Sequence, residues 1–216
     1  MEIIPSPGTQ DRDWQSIEKK IEIVKPFVKT IHVDIVDGKF APNTTFTDPS
    51  PFAKYTKDLF FEVHLMVDNP IQYLEPFAKA GFKRFIGQVE KMPDQVEFVA
   101  KGQELGEVGL AIDGPTDLSA ITVPYGDLDC ILFMAIKAGQ SGQEFNPEYL
   151  KKIEILKQVQ HDIKIEVDGG INDKTILQAK NAGANRFVST SFIFGGQNPQ
   201  LQYDTLKNKI SLGMLK

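Results

Sequence analysis

The chain has 216 residues, 41% of them apolar and 25% charged, which is the balance of a globular protein with a sizeable core. A formal net charge of −5 excludes the basic footprint of a general nucleic-acid binder. No apolar run approaches the roughly eighteen residues of a membrane span, and the polar opening around Glu2 and Pro5-Ser6-Pro7-Gly8 does not read as a signal peptide. A cytoplasmic protein with no membrane or nucleic-acid partner is the expectation.

Short apolar runs alternate with amphipathic stretches along the chain. The first run, near Ile3-Ile4, is followed by the amphipathic Trp14–Val28. The second, Thr30–Val36, contains His32-Val33-Asp34-Ile35. A strand turns successive side chains to opposite faces, so His32 and Asp34 share one face and Val33 and Ile35 the other. Asp37-Gly38 just beyond reads as a turn, with Asp37 accepting backbone hydrogen bonds. After Pro51–Lys57 comes the third run, Phe60–Met66, where His64 lies between apolar Val63 and Leu65. Asn69-Pro70 suits a helix start ahead of Ile71–Ala80, with Asn capping and Pro in the first turn. The pattern continues with the run Arg84–Val89, the helix Gln95–Leu105, the run Val108–Ile112 and the amphipathic Asp117–Ile121.

The sixth run, Cys130–Met134, carries the single cysteine, which cannot form an internal disulfide and reads as a buried, inert thiol. Asn146-Pro147 then opens Pro147–Val159, where Leu150, Ile153, Leu156 and Val159 form one apolar stripe. His161 falls in a polar turn and is expected in solvent. The seventh run, Ile163–Val167, ends at Asp168 and Gly169-Gly170, and Lys174–Ala182 follows. The eighth, Arg186–Val188, leads into Ser189-Thr190-Ser191, and Asn198-Pro199 precedes a last helix over Tyr203–Ile210.

Strict alternation of strand and helix implies a parallel sheet. Eight units with no linker or change of composition favour a single-domain (β/α)8 TIM barrel over residues 1–216. An open doubly wound sheet competes, but it usually carries a Gly-rich phosphate loop after the first strand, and Pro5-Ser6-Pro7-Gly8 is not one.

Buried charge is costly unless paired or bound to metal. Two histidines and two aspartates at strand ends therefore ask for a metal ion, a shared proton network, or both. In a barrel, His32, Asp34 and His64 lie on neighbouring strands, with Asp168 across the mouth. Two imidazoles and two carboxylates suit one divalent ion: zinc, or iron, manganese or cobalt. Gly169, Gly170, Thr190 and Ser191 sit in the loops where barrels of this kind hold phosphate. Glu62, Lys164 and Glu166 share the interior parity and read as a satisfied polar layer beneath the site.

These residues resemble the ribulose-phosphate 3-epimerase family over most of the chain. The likeness rests on Pro5-Ser6, the His32–Asn43 segment HVDIVDGKFAPN, VHLMV at Val63–Val67 with Asn69-Pro70, FAKAG at Phe77–Gly81, Gly139–Phe145, IEVDGGI at Ile165–Ile171 and AGAN at Ala182–Asn185. The resemblance implies that His32, Asp34, His64 and Asp168 hold the metal. Asp34 and Asp168 would also be the acid–base pair that inverts C3 of a ketose phosphate through an enediolate. Ser6 would hydrogen-bond the substrate or the ligating carboxylates, and Met66 and Met134 would line an apolar floor. Gly139 and Gly142 belong to the lid after the sixth strand. No redox cofactor is expected, because a proton moves and no hydride does. The partner implied is a phosphorylated ketose in carbohydrate metabolism, with D-ribulose 5-phosphate of the pentose phosphate pathway the default. A homo-oligomer is also expected.

The departures from the family pattern surround that core. The usual lid, Met-x-Val-x-Pro-Gly-Phe-Gly-Gly-Gln, here reads Met134-Ala135-Ile136-Lys137-Ala138-Gly139-Gln140-Ser141-Gly142-Gln143. His-x-Glu after the fourth strand becomes Gln88-Val89-Glu90, Gly-Ser after the eighth becomes Thr190-Ser191, and Pro7-Gly8-Thr9 follows Ser6 in place of an apolar pair. Two alternatives stay open: a C3 epimerase of a ketohexose 6-phosphate such as allulose 6-phosphate, and a non-catalytic phosphosugar- or metal-binding barrel.

Overall fold

The computed structural model describes residues 1–212, so residues 213–216 of the expected 1–216 domain lie outside the described residues. Each apolar run is a strand: β1 (Glu2–Pro5), β2 (Thr30–Val36), β3 (Phe60–Met66), β4 (Arg84–Gln88), β5 (Glu107–Ile112), β6 (Cys130–Met134), β7 (Lys164–Asp168) and β8 (Arg186–Ser189). Among the described residues all ladders are parallel, in the order β1-β8-β7-β6-β5-β4-β3-β2. β1 and β2 end the ladder and meet where the Thr30 hydroxyl donates to the Glu2 carboxylate. The result is a nearly closed (β/α)8 barrel, the architecture expected from the alternation.

The helices are α1 (Trp14–Val24), α2 (Ile71–Ala80), α3 (Gln95–Leu105), α4 (Lys151–Val159), α5 (Ile176–Ala182), α6 (Ser191–Phe194) and α7 (Pro199–Leu212). Two expected helices are shorter 3₁₀ turns, at Ser50–Lys54 and Leu118–Ala120. Prolines at 49 and 51 crowd the first, and the second runs into Ile121, Thr122, Val123 and Pro124, which are poor helix formers. Pro147–Leu150 is also 3₁₀, so α4 begins four residues later than the stripe suggested, and Val159 at its end is exposed. Asn146 and Asn198 cap as expected, accepting from the Glu148 and Leu201 amides. Asn69 does not: α2 starts from Pro70 with no side-chain cap.

Two apolar clusters follow from strand alternation. The larger fills the space between strands and helices, with Ile31, Val33, Val63 and Leu65 facing outward from β2 and β3. The smaller lies inside the barrel and includes Val36, Met66, Ile86, Leu132 and Met134. His32, Asp34, Glu62, His64, Gln88, Glu166 and Asp168 share the parity of this second group, so they project into the barrel interior. Trp14 packs edge-on against Phe52, 4.9 Å between ring centroids, between α1 and the barrel wall.

Candidate active site

The register of β2 on β3 places Asp34 beside His64 and His32 beside Glu62. The Asp34 Oδ1 atom is 3.2 Å from His32 Nε2 and 3.2 Å from His64 Nδ1. Its other oxygen accepts from the Ser6 hydroxyl at 2.9 Å, and Ser6 also accepts from the Gly8 amide. Asp168 ends β7 beside Met134 of β6. One ligand atom from each of His32, Asp34, His64 and Asp168 lies within 4.8 Å of the others.

The outer nitrogen of each imidazole is already committed. His32 Nδ1 lies 2.7 Å from Glu62, whose second oxygen is held by Arg84, itself bound to Glu107 at 2.7 Å. His64 Nε2 lies 2.7 Å from Gln88 Oε1, and the Gln88 amide nitrogen donates to Glu90 at 2.8 Å. Glu90 accepts the Asp113 amide, and Asp113 accepts the amide of Ala138 in the lid, so a continuous hydrogen-bond chain runs from His64 to the lid base. Because Gln88 gives its N–H to Glu90, its oxygen faces His64 and fixes the N–H of that ring on Nε2. With His32 donating to Glu62, the two inner imidazole nitrogens and Asp34 Oδ1 present lone pairs to one another. Three acceptors in mutual contact need a cation or an extra proton between them, and metal-bound histidines are oriented by outer partners of this kind. The donor set therefore fits a divalent ion.

The electrostatics agree. Burial alone would raise Asp34, but the His32 and His64 imidazoles outweigh it and hold the carboxyl well below the usual range. Burial opposes charge on His32, yet Asp34, with Glu166 and Glu62, raises its proton affinity well above the ordinary value. A metal ion in their midst would compete with that proton. Burial and then the Asp34 charge push Asp168 up to about 6. Glu62, despite burial, is lowered to about 2 by His32 and Arg84.

The layer beneath the site is not uniformly satisfied. Glu62 and Glu166 are fully buried, but Lys164 is exposed. Neither Glu166 oxygen has a hydrogen-bond partner among the described residues. One lies 3.3 Å from His32 Nδ1, off the line of an N–H already given to Glu62. Burial and the Glu62 charge raise Glu166 to about 7.

Above these groups lies a narrow pocket. Asp34 and Asp168 reach it, with Met66 and Met134 as apolar lining; Gly139 and Gly142 of the lid, Gly169, Gly170, Thr190 and Ser191 complete the set expected from sequence. Ser6 is fully buried against Asp34 and does not line the pocket, so of its two expected partners it takes the carboxylate. Gly169 and Gly170 have φ of 107° and 69°, and a Cβ on them would strike Ile136 and Phe145 at 2.5 and 2.8 Å. Backbone conformation and packing thus require glycine at both places, whatever they bind.

Asp37 accepts the amides of Lys39, Phe40 and Asp68, the turn role expected of it, and His161 is exposed. Cys130 is fully buried, and burial pushes its thiol up, away from reactivity. Sequence reasoning missed Thr9, Gln140 and Ser141 as pocket residues and Asp113 as a lid anchor. Gln88 was visible only as a departure from a family pattern whose glutamate, Glu90, is kept; a polar residue in phase with interior Ile86 was the available signal.

Comparison with known proteins places the chain. The profile of the ribulose-phosphate 3 epimerase family matches residues 6–194. The ribulose-phosphate 3-epimerase of Schizosaccharomyces pombe is 33% identical over 211 residues, covering 95% of this chain and 92% of that protein. The cytoplasmic isoform from Oryza sativa is 35% identical over 214 residues, covering 95% and 93%. Among solved structures, KGPDC from Streptococcus mutans superposes with a TM-score of 0.74 at 11% identity, over 98% of this chain and 97% of that one. The 3-hexulose-6-phosphate synthase of Salmonella typhimurium gives 0.73 at 12%, over 98% and 99%. At such identities the structural likeness speaks for the fold alone.

Proposed function

The chain belongs to the ribulose-phosphate 3-epimerase family and is a sugar-phosphate epimerase, and from that premise we propose that it interconverts D-ribulose 5-phosphate and D-xylulose 5-phosphate with one bound divalent metal ion. The observation that carries this reading is the pair of carboxylates, Asp34 from β2 and Asp168 from β7, which reach one pocket from different walls beside two imidazoles whose outer nitrogens are tied. His32, Asp34, His64 and Asp168 would hold the ion, which when bound polarises the C2 carbonyl and balances the charge of the enediolate. One aspartate takes the C3 proton from one face of the substrate, and the other returns a proton to the opposite face. The Ser6 hydrogen bond keeps Asp34 turned toward the imidazoles. Met66 and Met134 pack against the carbon chain and keep water from the reacting carbon. The phosphate end would lie toward Gly169-Gly170 and Thr190-Ser191, which line the same pocket.

The altered lid leaves a ketohexose 6-phosphate as the competing substrate. Solvent deuterium exchange at C3, measured on metal-replete protein with ribulose 5-phosphate and allulose 6-phosphate in parallel, separates the two. Faster exchange and inversion with ribulose 5-phosphate is expected. Preference for the hexulose would move the substrate assignment, and exchange with neither would overturn the epimerase mechanism.

A further inference from the structure

Where the lid meets the first loop, the proton of every hydroxyl can be placed. The Ser141 amide donates to Thr9 Oγ1 at 2.8 Å, the Thr9 amide donates to Ser141 Oγ at 3.1 Å, and the two hydroxyl oxygens are 3.1 Å apart. A hydroxyl carries one proton and two lone pairs. Thr9 is only 3% exposed, so its proton must find an acceptor inside the protein, and Ser141 Oγ is the acceptor within reach. Ser141 Oγ then accepts twice, from the Thr9 amide and the Thr9 hydroxyl. Both of its lone pairs are used, and its own proton is left to donate. Ser141 is half-buried and lines the pocket, so that O–H is a donor offered to whatever the pocket holds.

Its neighbours indicate which end of a ligand it meets. A Cβ built on Gly8 would lie 2.6 Å from Thr190 Cγ2 and 3.3 Å from Ser141 Oγ, so lid and β8 loop close on the same point. Ser141 also replaces a glycine of the family lid, and its own amide is spent on Thr9. We propose that the Ser141 hydroxyl donates to the phosphate group of the substrate, and that Thr9 is the positioning residue that fixes its direction. This rests on the phosphate end of the pocket lying at Gly169-Gly170 and Thr190-Ser191.

Calorimetric titration of inorganic phosphate, alongside steady-state kinetics, tests it in Ser141→Ala, Ser141→Thr and Thr9→Val. Ser141→Ala is expected to weaken phosphate binding about tenfold and raise KM comparably, with kcat changed less than about threefold, as for loss of one hydrogen bond to an anion. Ser141→Thr keeps the donor and stays within about threefold of wild type on the same reasoning. Thr9→Val loosens the lid but keeps the Ser141 hydroxyl, and costs less than Ser141→Ala. Unchanged phosphate affinity in Ser141→Ala, or an equal loss in Thr9→Val, would overturn the proposal, the latter because lid pinning alone would then explain both. The titration needs no turnover, so a failure of the substrate assignment leaves this test standing.

Discussion

Gln88 shows how much one side chain contributes by facing two ways. Its carboxamide accepts from His64 and donates to Glu90, so it sets the tautomer of a candidate metal ligand and tethers it to the chain leading to the lid. Gln88→Leu keeps the volume and removes both bonds. Loss of an outer-shell partner typically lowers metal affinity 10–100-fold, and about that loss is expected in a competitive metal titration of Gln88→Leu. Affinity equal to wild type would mean that His64 needs no orientation from β4. The candidate ligand residues themselves were legible in sequence, because histidine and aspartate alternating with valine and isoleucine on a strand demand an explanation. The Gln88–Glu90–Asp113 chain and the Thr9–Ser141 pair were not. Each joins residues that only distances in the folded barrel bring together, 132 positions apart in the second case.

At the scale of elements, the strands were easier to read than the helices. β2, β3 and β6 each bury an unbroken apolar face, and burial on both sides writes itself into runs of β-branched and aromatic residues. Crossovers need only return the chain, and short turns over Ser50–Lys54 and Leu118–Ala120 do so as well as helices. Helix starts depend on one side chain adopting one rotamer, which is why Asn146 and Asn198 cap and Asn69 does not. Asp94 is the cap of α3, accepting from the Glu97 amide at 2.9 Å. Asp94→Ala is expected to cost about 1 kcal/mol in urea unfolding, with an unchanged denaturant slope. No loss of stability would show that the tertiary packing of Phe98 and Val99 holds the helix start unaided.

Across the whole molecule, charge is arranged along the barrel axis. A chain of polar groups, buried from Arg84 onward, leads from half-exposed Glu107 through Arg84, Glu62 and His32 to Asp34, where Asp168 joins from β7. The carboxyl-terminal halves of β2, β3 and β7 bring Asp34, His64 and Asp168 to one place, and the loops above them close the pocket. In the proposed mechanism Asp34 and Asp168 act on opposite faces of one carbon. Its most direct test is C3 chemistry in deuterated solvent with Asp168→Asn, metal content measured on the same sample. Wild type should place one solvent deuterium at C3 of each product molecule. The metal-loaded variant should lose inversion by at least about 1000-fold while remaining folded, since it lacks one of the two proton-transfer groups. Inversion at the wild-type rate in metal-loaded Asp168→Asn would contradict the two-carboxylate account.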